Sequence, residues 1–167
     1  MRHLRPLALT GLLTRVLASA SACGRTIDLS KALTVDDVTS GYYDDGLKDG
    51  KTHLVPSLTF RLHNTDPDSI VGVQLTLTFW QDGADGELDS LQVTGIGSDA
   101  LASGASTDPI VARAKVGYSL EGSRADFFTH SLFKDLTAKM FAARGGLWYK
   151  LGEFRLERKI IPHTPTT

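Results

Sequence analysis

Apolar and polar residues alternate along several short stretches of this chain. Between Leu58 and Asn64 every second side chain is apolar, and from Val71 to Trp80 the same period recurs over a longer run. A period of two is the signature of a β-strand with one buried face and one solvated face. The polar turn at 64–68 joins the two stretches, so they are predicted to pair as antiparallel neighbours.

Further alternating stretches occur at 91–93 and 110–118, and a Gly-Gly pair at 145–146 separates two more. A Gly-Gly pair between such runs predicts a β-hairpin. Several short strands separated by turns are typical of an all-β protein. The sequence therefore predicts an antiparallel two-sheet, immunoglobulin-like sandwich with at most one short helix.

The segment 132–144 fits two interpretations. Leu132, Phe133, Leu136 and Met140 have helical spacing, whereas residues 139–144 also alternate as a strand would. We favour a short helical turn at 131–136, followed by the hairpin.

The first 22 residues have the order of an export signal. Arg2 and Arg5 form a basic start, residues 7–13 are apolar, and small residues follow. Arg15 interrupts the apolar part. An amphipathic N-terminal helix of a cytoplasmic protein, or a different start site, therefore remains an alternative.

Cys23 is the only cysteine and comes directly after small residues. The sequence Ala20-Ser21-Ala22-Cys23 resembles a bacterial lipobox, which implies that Cys23 is acylated and becomes the new N-terminus. Ala20 occupies the position of the usual leucine, so cleavage by the general signal peptidase is the alternative. With Cys23 lipidated, the mature domain has no thiol for a disulfide, a metal site or a nucleophile.

These features divide the chain into a signal peptide, a tether or first strand, a β-sandwich domain and a flexible tail. The respective ranges are 1–22, 23–40, 41–161 and 162–167.

The charge of the mature chain is mildly negative. Three of the 18 basic residues and none of the 19 acidic residues lie within 1–22, so removal of that segment leaves 15 basic against 19 acidic residues. A net charge near −4 argues against nucleic acid or an anionic membrane surface as the natural partner.

Few residues form a chemically suggestive group. The loop 82–89 carries four acidic residues, which hard cations such as calcium favour, but their spacing indicates a solvated loop instead. The histidines lack metal-ligand spacing, and no serine near His130 lies in a nucleophile turn. We predict no catalytic residue, no cofactor and no metal site.

Trp80 is predicted to lie opposite the core face of its strand. It either packs under a loop or at the sheet rim, or anchors an interface with a partner, where tryptophan is enriched. Arg155, Arg158 and Lys159 form a basic cluster that we interpret as a charged strand edge.

The stretches 60–64 and 79–83 resemble the middle of small bacterial immunoglobulin-like domains of the FxLYD type. Such domains show an asparagine after one strand, here Asn64, and then an aromatic pair and an Asp-x-x-Gly-like turn, here from Phe79 to Gly83. The resemblance implies binding or envelope assembly and supplies no catalytic residue.

We therefore expect a non-catalytic envelope protein, lipid-anchored through Cys23 or secreted, that binds an envelope protein or supports a complex. It would reside in the periplasm or cell envelope. The alternative function is a periplasmic carrier domain for a small ligand or a metal.

Overall fold

The alternating stretches form nine β-strands in the computed structural model, which describes residues 26–121 and 123–162. In chain order the elements are a helical turn α1 (Leu29–Ala32), β1 (Leu33–Lys48), β2 (Lys51–Asn64), β3 (Val73–Gln81), β4 (Glu87–Ile96), β5 (Ile110–Arg113), β6 (Tyr118–Leu120), a 3-10 turn (Arg124–Thr129), β7 (Leu136–Arg144), β8 (Leu147–Arg155) and β9 (Ile160–Ile161).

Two sheets face each other across one core. The first has the order β5-β2-β1-β9, with β6 also paired to β2, and the second has the order β4-β3-β7-β8. Every strand pair is antiparallel except β1 with β9. This arrangement confirms the predicted all-β sandwich.

The core is built from the inward positions of both sheets. Apolar side chains at alternate positions of β2, β3 and β7 are fully buried, and they include Leu58, Phe60, Leu62, Leu75, Leu77, Phe79, Leu136, Ala138, Met140 and Ala142. Their burial is the main favourable contribution to folding, because it removes apolar surface from water.

The predicted pairing of the stretches at 58–64 and 71–79 is wrong. The strand β2 pairs with β1, whereas β3 lies in the other sheet, so the residues between them cross from one sheet to the other. Fully buried Asn64 holds this crossing: its Nδ2 donates to the carbonyl oxygens of Asp68 (3.0 Å) and Leu101 (2.9 Å), and its Oδ1 accepts from the Asp66 amide (2.9 Å).

Of the two interpretations of 23–40, a tether or a first strand, the strand agrees with the structure from residue 29 onward, where α1 and the first half of β1 belong to the folded domain. Asp28 caps α1 by accepting a hydrogen bond from the Ser30 amide at 3.1 Å, and Leu29 is fully buried. A few apolar residues suffice to fix this segment because β1 pairs with β2 along its length. Cys23 lies outside the described residues.

The helical turn expected at 131–136 is also wrong, since the 3-10 turn lies earlier, at Arg124–Thr129. Leu136–Arg144 is a strand because its even-numbered residues from 136 to 142 all enter the core. The Gly145-Gly146 hairpin is confirmed, and both glycines adopt positive φ angles, 57° and 81°, that other residues rarely take.

Candidate functional site

The outward side of β3 carries Gln74, Thr76, Thr78 and Trp80. Each alternates with a buried core residue, because successive side chains of a strand point to opposite faces of the sheet. The prediction that Trp80 lies opposite the core face is confirmed.

The neighbouring strands extend this surface. Across β4, the residues Ser90, Gln92 and Thr94 lie in register with outward residues of β3, and Phe141 of β7 lies opposite Thr76. We call the resulting surface the neutral face, and it comprises Gln74, Thr76, Thr78, Trp80, Ser90, Gln92, Thr94 and Phe141. It contains hydroxyls, amides and two aromatic rings, and the charged residues beside it in register are Glu87, opposite Trp80, and Lys139, opposite Thr78.

Trp80 is fixed in place on this face. Its indole Nε1 donates a 2.8 Å hydrogen bond to the Thr78 hydroxyl, and the Lys139 ammonium lies 4.1 Å from the ring centroid. A cation over an aromatic ring is attracted by the negative face of that ring. The half-buried indole is therefore held against the sheet, with one ring face covered by Lys139.

Thr76 lies at the centre of the neutral face, between Gln92 and Phe141 in register. Its hydroxyl oxygen is buried and has no hydrogen-bond partner among the described residues. A buried hydroxyl without a partner costs free energy.

The outward side of the first sheet differs in character. There the Arg61 guanidinium lies 3.5 Å from the Asp37 carboxylate, and the Arg113 guanidinium stacks 3.3 Å above the Tyr43 ring centroid. The neutral face itself holds no such ion pair or stacked cation among its members, although Lys139 and Glu153 of the same sheet lie beside it.

An aromatic cluster closes one end of the sandwich. Its rings make mutual edge-on or tilted contacts with centroids 4.9 to 6.2 Å apart, and they belong to Tyr42, Tyr118, Phe127, Phe128 and Phe133. Within the cluster Phe127 is buried and Phe128 is half-buried. A cavity of about 60 Å³ beside this cluster is lined by Tyr118, Ser119, Leu120, Phe127, His130, Leu132 and Phe133.

The basic cluster of the C-terminal segment is an ion-pair latch beside these rings. Arg158 binds both carboxylate oxygens of Asp135, at 2.8 and 2.7 Å, and Arg155 adds a contact of 2.8 Å. Hydrogen bonds from Arg158 and Arg155 lower the pKa of Asp135 to about 2. Arg155 and Arg158 therefore bind a shared carboxylate, in addition to lying at the charged edge that the sequence predicted. Lys159 is not part of the latch and pairs with Glu157.

The acidic loop at 82–89 does not gather its carboxylates. Asp82 pairs with Arg155 at 3.3 Å, while Asp89 accepts hydrogen bonds from the amides of Lys115 (2.6 Å) and Val116 (3.0 Å). Among the described residues no group of three His, Cys, Asp or Glu side chains could hold a metal ion.

The described histidines have separate structural contacts. The Nδ1 atom of His53 lies 3.2 Å from Asp45 Oδ2, that of His63 lies 3.0 Å from the Ser106 hydroxyl, and that of His130 accepts from the Leu132 amide. Of these three contacts, that of His63 joins the ring to a serine hydroxyl, whereas those of His53 and His130 do not.

Sequence reasoning identified the face of β3 that carries Trp80 but missed the members of the neutral face on β4 and β7. The register of β3 with β4 brings Gln92 and Thr94 onto it, and the alternation in residues 139–144 was the available signal for Phe141. Lipidation of Cys23 remains a prediction, because that residue lies outside the described part of the chain. No helix within the described residues is both long and apolar enough to cross a membrane.

Comparison with known proteins gives little further information. No family model matches the chain, and no curated protein matches it. A solved structure described as the X-ray structure of Northeast Structural Genomics Consortium target SoR45 is similar at 14% sequence identity and a TM-score of 0.46, over 77% of this chain and 88% of that chain.

Proposed function

We propose that this chain is a non-catalytic protein of the bacterial cell envelope that binds another protein through the neutral face. The observation that carries this proposal is the composition of that face: hydroxyls, amides, Trp80 and Phe141 are contiguous over β4, β3 and β7, and the charged residues among them, Glu87 and Lys139, lie next to Trp80.

The physical argument rests on the cost of removing water. Burying a charged group against a partner is expensive, whereas hydroxyls and amides can exchange water for partner hydrogen bonds at small net cost. Accordingly, the centres of protein interfaces are depleted in charged residues and enriched in aromatic residues. Trp80, already held by Thr78 and Lys139, would lose little further freedom on binding.

The proposed location follows from the N-terminal sequence. An export signal at 1–22 followed by the lipobox-like Ala20-Ser21-Ala22-Cys23 supports a lipid-anchored protein of the periplasm or cell envelope, or a secreted one after simple cleavage. A mildly acidic mature chain agrees with a partner other than nucleic acid.

The alternative, a carrier of a small ligand, is supported less well. Ligand pockets commonly enclose about 300–1,000 Å³, and the cavity beside the aromatic cluster measures about 60 Å³. Its lining is largely apolar, so it has room for a small group and not for a whole cofactor.

A native pull-down from membranes with the full chain tests the binding proposal. Gln92 is exposed on the neutral face and Val111 is exposed on the outer side of the first sheet, so Gln92→Lys and Val111→Lys add the same charge to opposite surfaces. We expect Gln92→Lys to lose a partner that the unmodified chain and Val111→Lys retain. Equal retention by both variants would contradict the assignment of the face.

Two further variants separate the parts of the proposal. Trp80→Ala should reduce partner binding by more than its loss of stability explains, and unchanged binding with lost stability would remove Trp80 from the interface. Cys23→Ala should release the protein from membranes. A Cys23→Ala chain that stays membrane-bound with an unprocessed N-terminus would contradict lipidation without bearing on the neutral face.

A further inference from the structure

One end of the sandwich exposes three large apolar side chains, of which Trp148 lies on the same outward side of the second sheet as the neutral face, opposite Ala143. Val71, Leu147 and Trp148 are 38%, 49% and 56% exposed, respectively. The Gly145-Gly146 turn projects Leu147 and Trp148 at the end of the β7–β8 hairpin. We call these three side chains the hairpin tip patch.

The two parts of the patch are fixed to each other. Arg144, which lies opposite Leu147 in the hairpin, donates a hydrogen bond from Nε to the Val71 carbonyl oxygen at 3.1 Å. Val71 precedes β3, whose second residue, Gln74, lies opposite Ala143. The patch is therefore part of the folded end of the second sheet.

The first described residues of the chain lie at the same end. The Thr65 amide donates to the Ala32 carbonyl oxygen at 2.9 Å, and α1 packs against β8. Cys23 precedes Thr26 by three residues, a separation that a chain spans over at most about 11 Å. A lipid on Cys23 would thus hold this end of the sandwich at the membrane surface.

We propose that the hairpin tip patch is a second membrane contact, which inserts into the bilayer interface when Cys23 carries its lipid; this inference rests on the proposed lipid anchor. Tryptophan favours the boundary between headgroups and acyl chains, because its ring is apolar and its N–H is polar. Leu147 and Val71 supply adjacent apolar surface that water covers in the free protein.

Two cations of this end pair with carboxylates and Arg144 donates to the Val71 carbonyl oxygen, so we expect apolar burial to dominate the contact. Lys31 lies 3.5 Å from Asp28, and Lys150 lies 2.7 Å from Glu153. With these cations compensated, we expect the contact to form on uncharged phosphatidylcholine and to resist added salt.

The contact would also orient the neutral face. Strands that begin or end at the patch run away from the membrane, so the neutral face would stand along the side of the molecule. Trp80 lies six residues beyond Gln74 along β3, which corresponds to about 20 Å. The two tryptophans of the chain therefore report on positions near and far from the bilayer.

The test uses the acylated full chain, purified from membranes and reconstituted into phosphatidylcholine vesicles with brominated acyl chains. Trp80→Phe leaves Trp148 as the sole tryptophan, and Trp148→Phe leaves Trp80. We expect Trp148 emission to shift to the blue and to be quenched by the bromine atoms. Trp80 emission should be unaffected by bromine and remain open to aqueous iodide to the extent that its ring is exposed.

Two results would overturn the inference, and they differ in what else they affect. If the chain floats with the vesicles but Trp148 is quenched by iodide and not by bromine, the anchor stands and the tip contacts water or a protein. If the chain does not float with the vesicles, the lipid anchor and the tip contact both fail. Neither result affects partner binding by the neutral face.

Discussion

The latch at Asp135 should hold the C-terminal segment onto the sandwich, and Asp135→Asn tests it. The carboxylate binds Arg158 through both oxygens and Arg155 through one, and its side chain is only 12% exposed. An asparagine keeps the size of the side chain but removes the charge and one acceptor. The expected result is a less stable protein with an unchanged fold.

The magnitude follows from the pKa of Asp135, which falls from 3.8 to about 2. A difference of about 1.8 pH units corresponds to about 2.4 kcal/mol of stabilisation when each unit is worth about 1.36 kcal/mol. The side chains of Arg155 and Arg158 are 67% and 56% exposed, so solvent screens the pair. We therefore expect Asp135→Asn to cost about 1–1.5 kcal/mol at neutral pH.

The pH dependence has a defined sign. Because folding lowers the pKa of Asp135, the ionised carboxylate stabilises the folded state above pH 3.8. That contribution is lost as the pH falls from about 5 towards 2, where the carboxyl is protonated in both states. The stability difference between the unmodified chain and Asp135→Asn should therefore shrink with acidification.

Urea denaturation at a series of pH values measures this difference. Asp85→Asn is the matched control, because Asp85 has no ion pair among the described residues and should change stability little at any pH. An equal loss for Asp135→Asn at pH 7 and near pH 2, or no loss at pH 7, would refute the role of the latch.

Three other substitutions probe the fold, each measured by urea denaturation. Asn64→Ala removes the two hydrogen bonds donated to loop carbonyls and should cost about 2–4 kcal/mol. Tyr42→Phe removes a buried hydroxyl that has no partner among the described residues, and it should stabilise the protein by about 1 kcal/mol. Gly117→Ala would place a methyl group against the Leu54 carbonyl and within 2.9 Å of Val55 Cα, and it should cost about 1–3 kcal/mol.

A specific stability result would contradict each of these three predictions. Tyr118→Phe is the control for Tyr42→Phe, because the Tyr118 hydroxyl donates to the Lys134 carbonyl and accepts from Gln81, so its removal should destabilise. If both variants change stability in the same direction, the account of Tyr42 is wrong. Asn64→Ala or Gly117→Ala with unchanged stability would show that the surrounding loops rearrange freely.

Local features of the fold could be predicted from the sequence. The period of two identified the core face of β2 and β3, and Gly145-Gly146 identified the β7–β8 hairpin, because both signals depend on neighbouring residues alone. The position of Trp80 opposite the core followed from the same period.

The assignment of strands to sheets could not be predicted in this way. A turn-forming sequence at 64–68 suggested a hairpin, but Asn64 bonds to Leu101, which is 37 residues away, and this contact directs the chain across the core. The same limitation applied to the latch, since Asp135 and Arg158 are 23 residues apart and only the folded chain brings them together.

Only the part of the candidate site on β3 could be predicted, because the other members depend on how β4 and β7 pair with that strand. Trp80 stood out as a large aromatic residue on a solvated face. The pairing register of β4 with β3 is needed to place Gln92 and Thr94 beside it. Phe141 lay in a segment where helical spacing competed with alternation, and burial of Met140 and Ala142 decided in favour of the strand.

Site-specific photocrosslinking in intact cells tests the neutral face most directly. A photoreactive phenylalanine derivative at Gln92 samples the neutral face, and the same group at Val111 samples the outer side of the first sheet. The account predicts a defined crosslinked protein from position 92 and none from position 111. Crosslinking to one protein from position 111, with none from position 92, would contradict it.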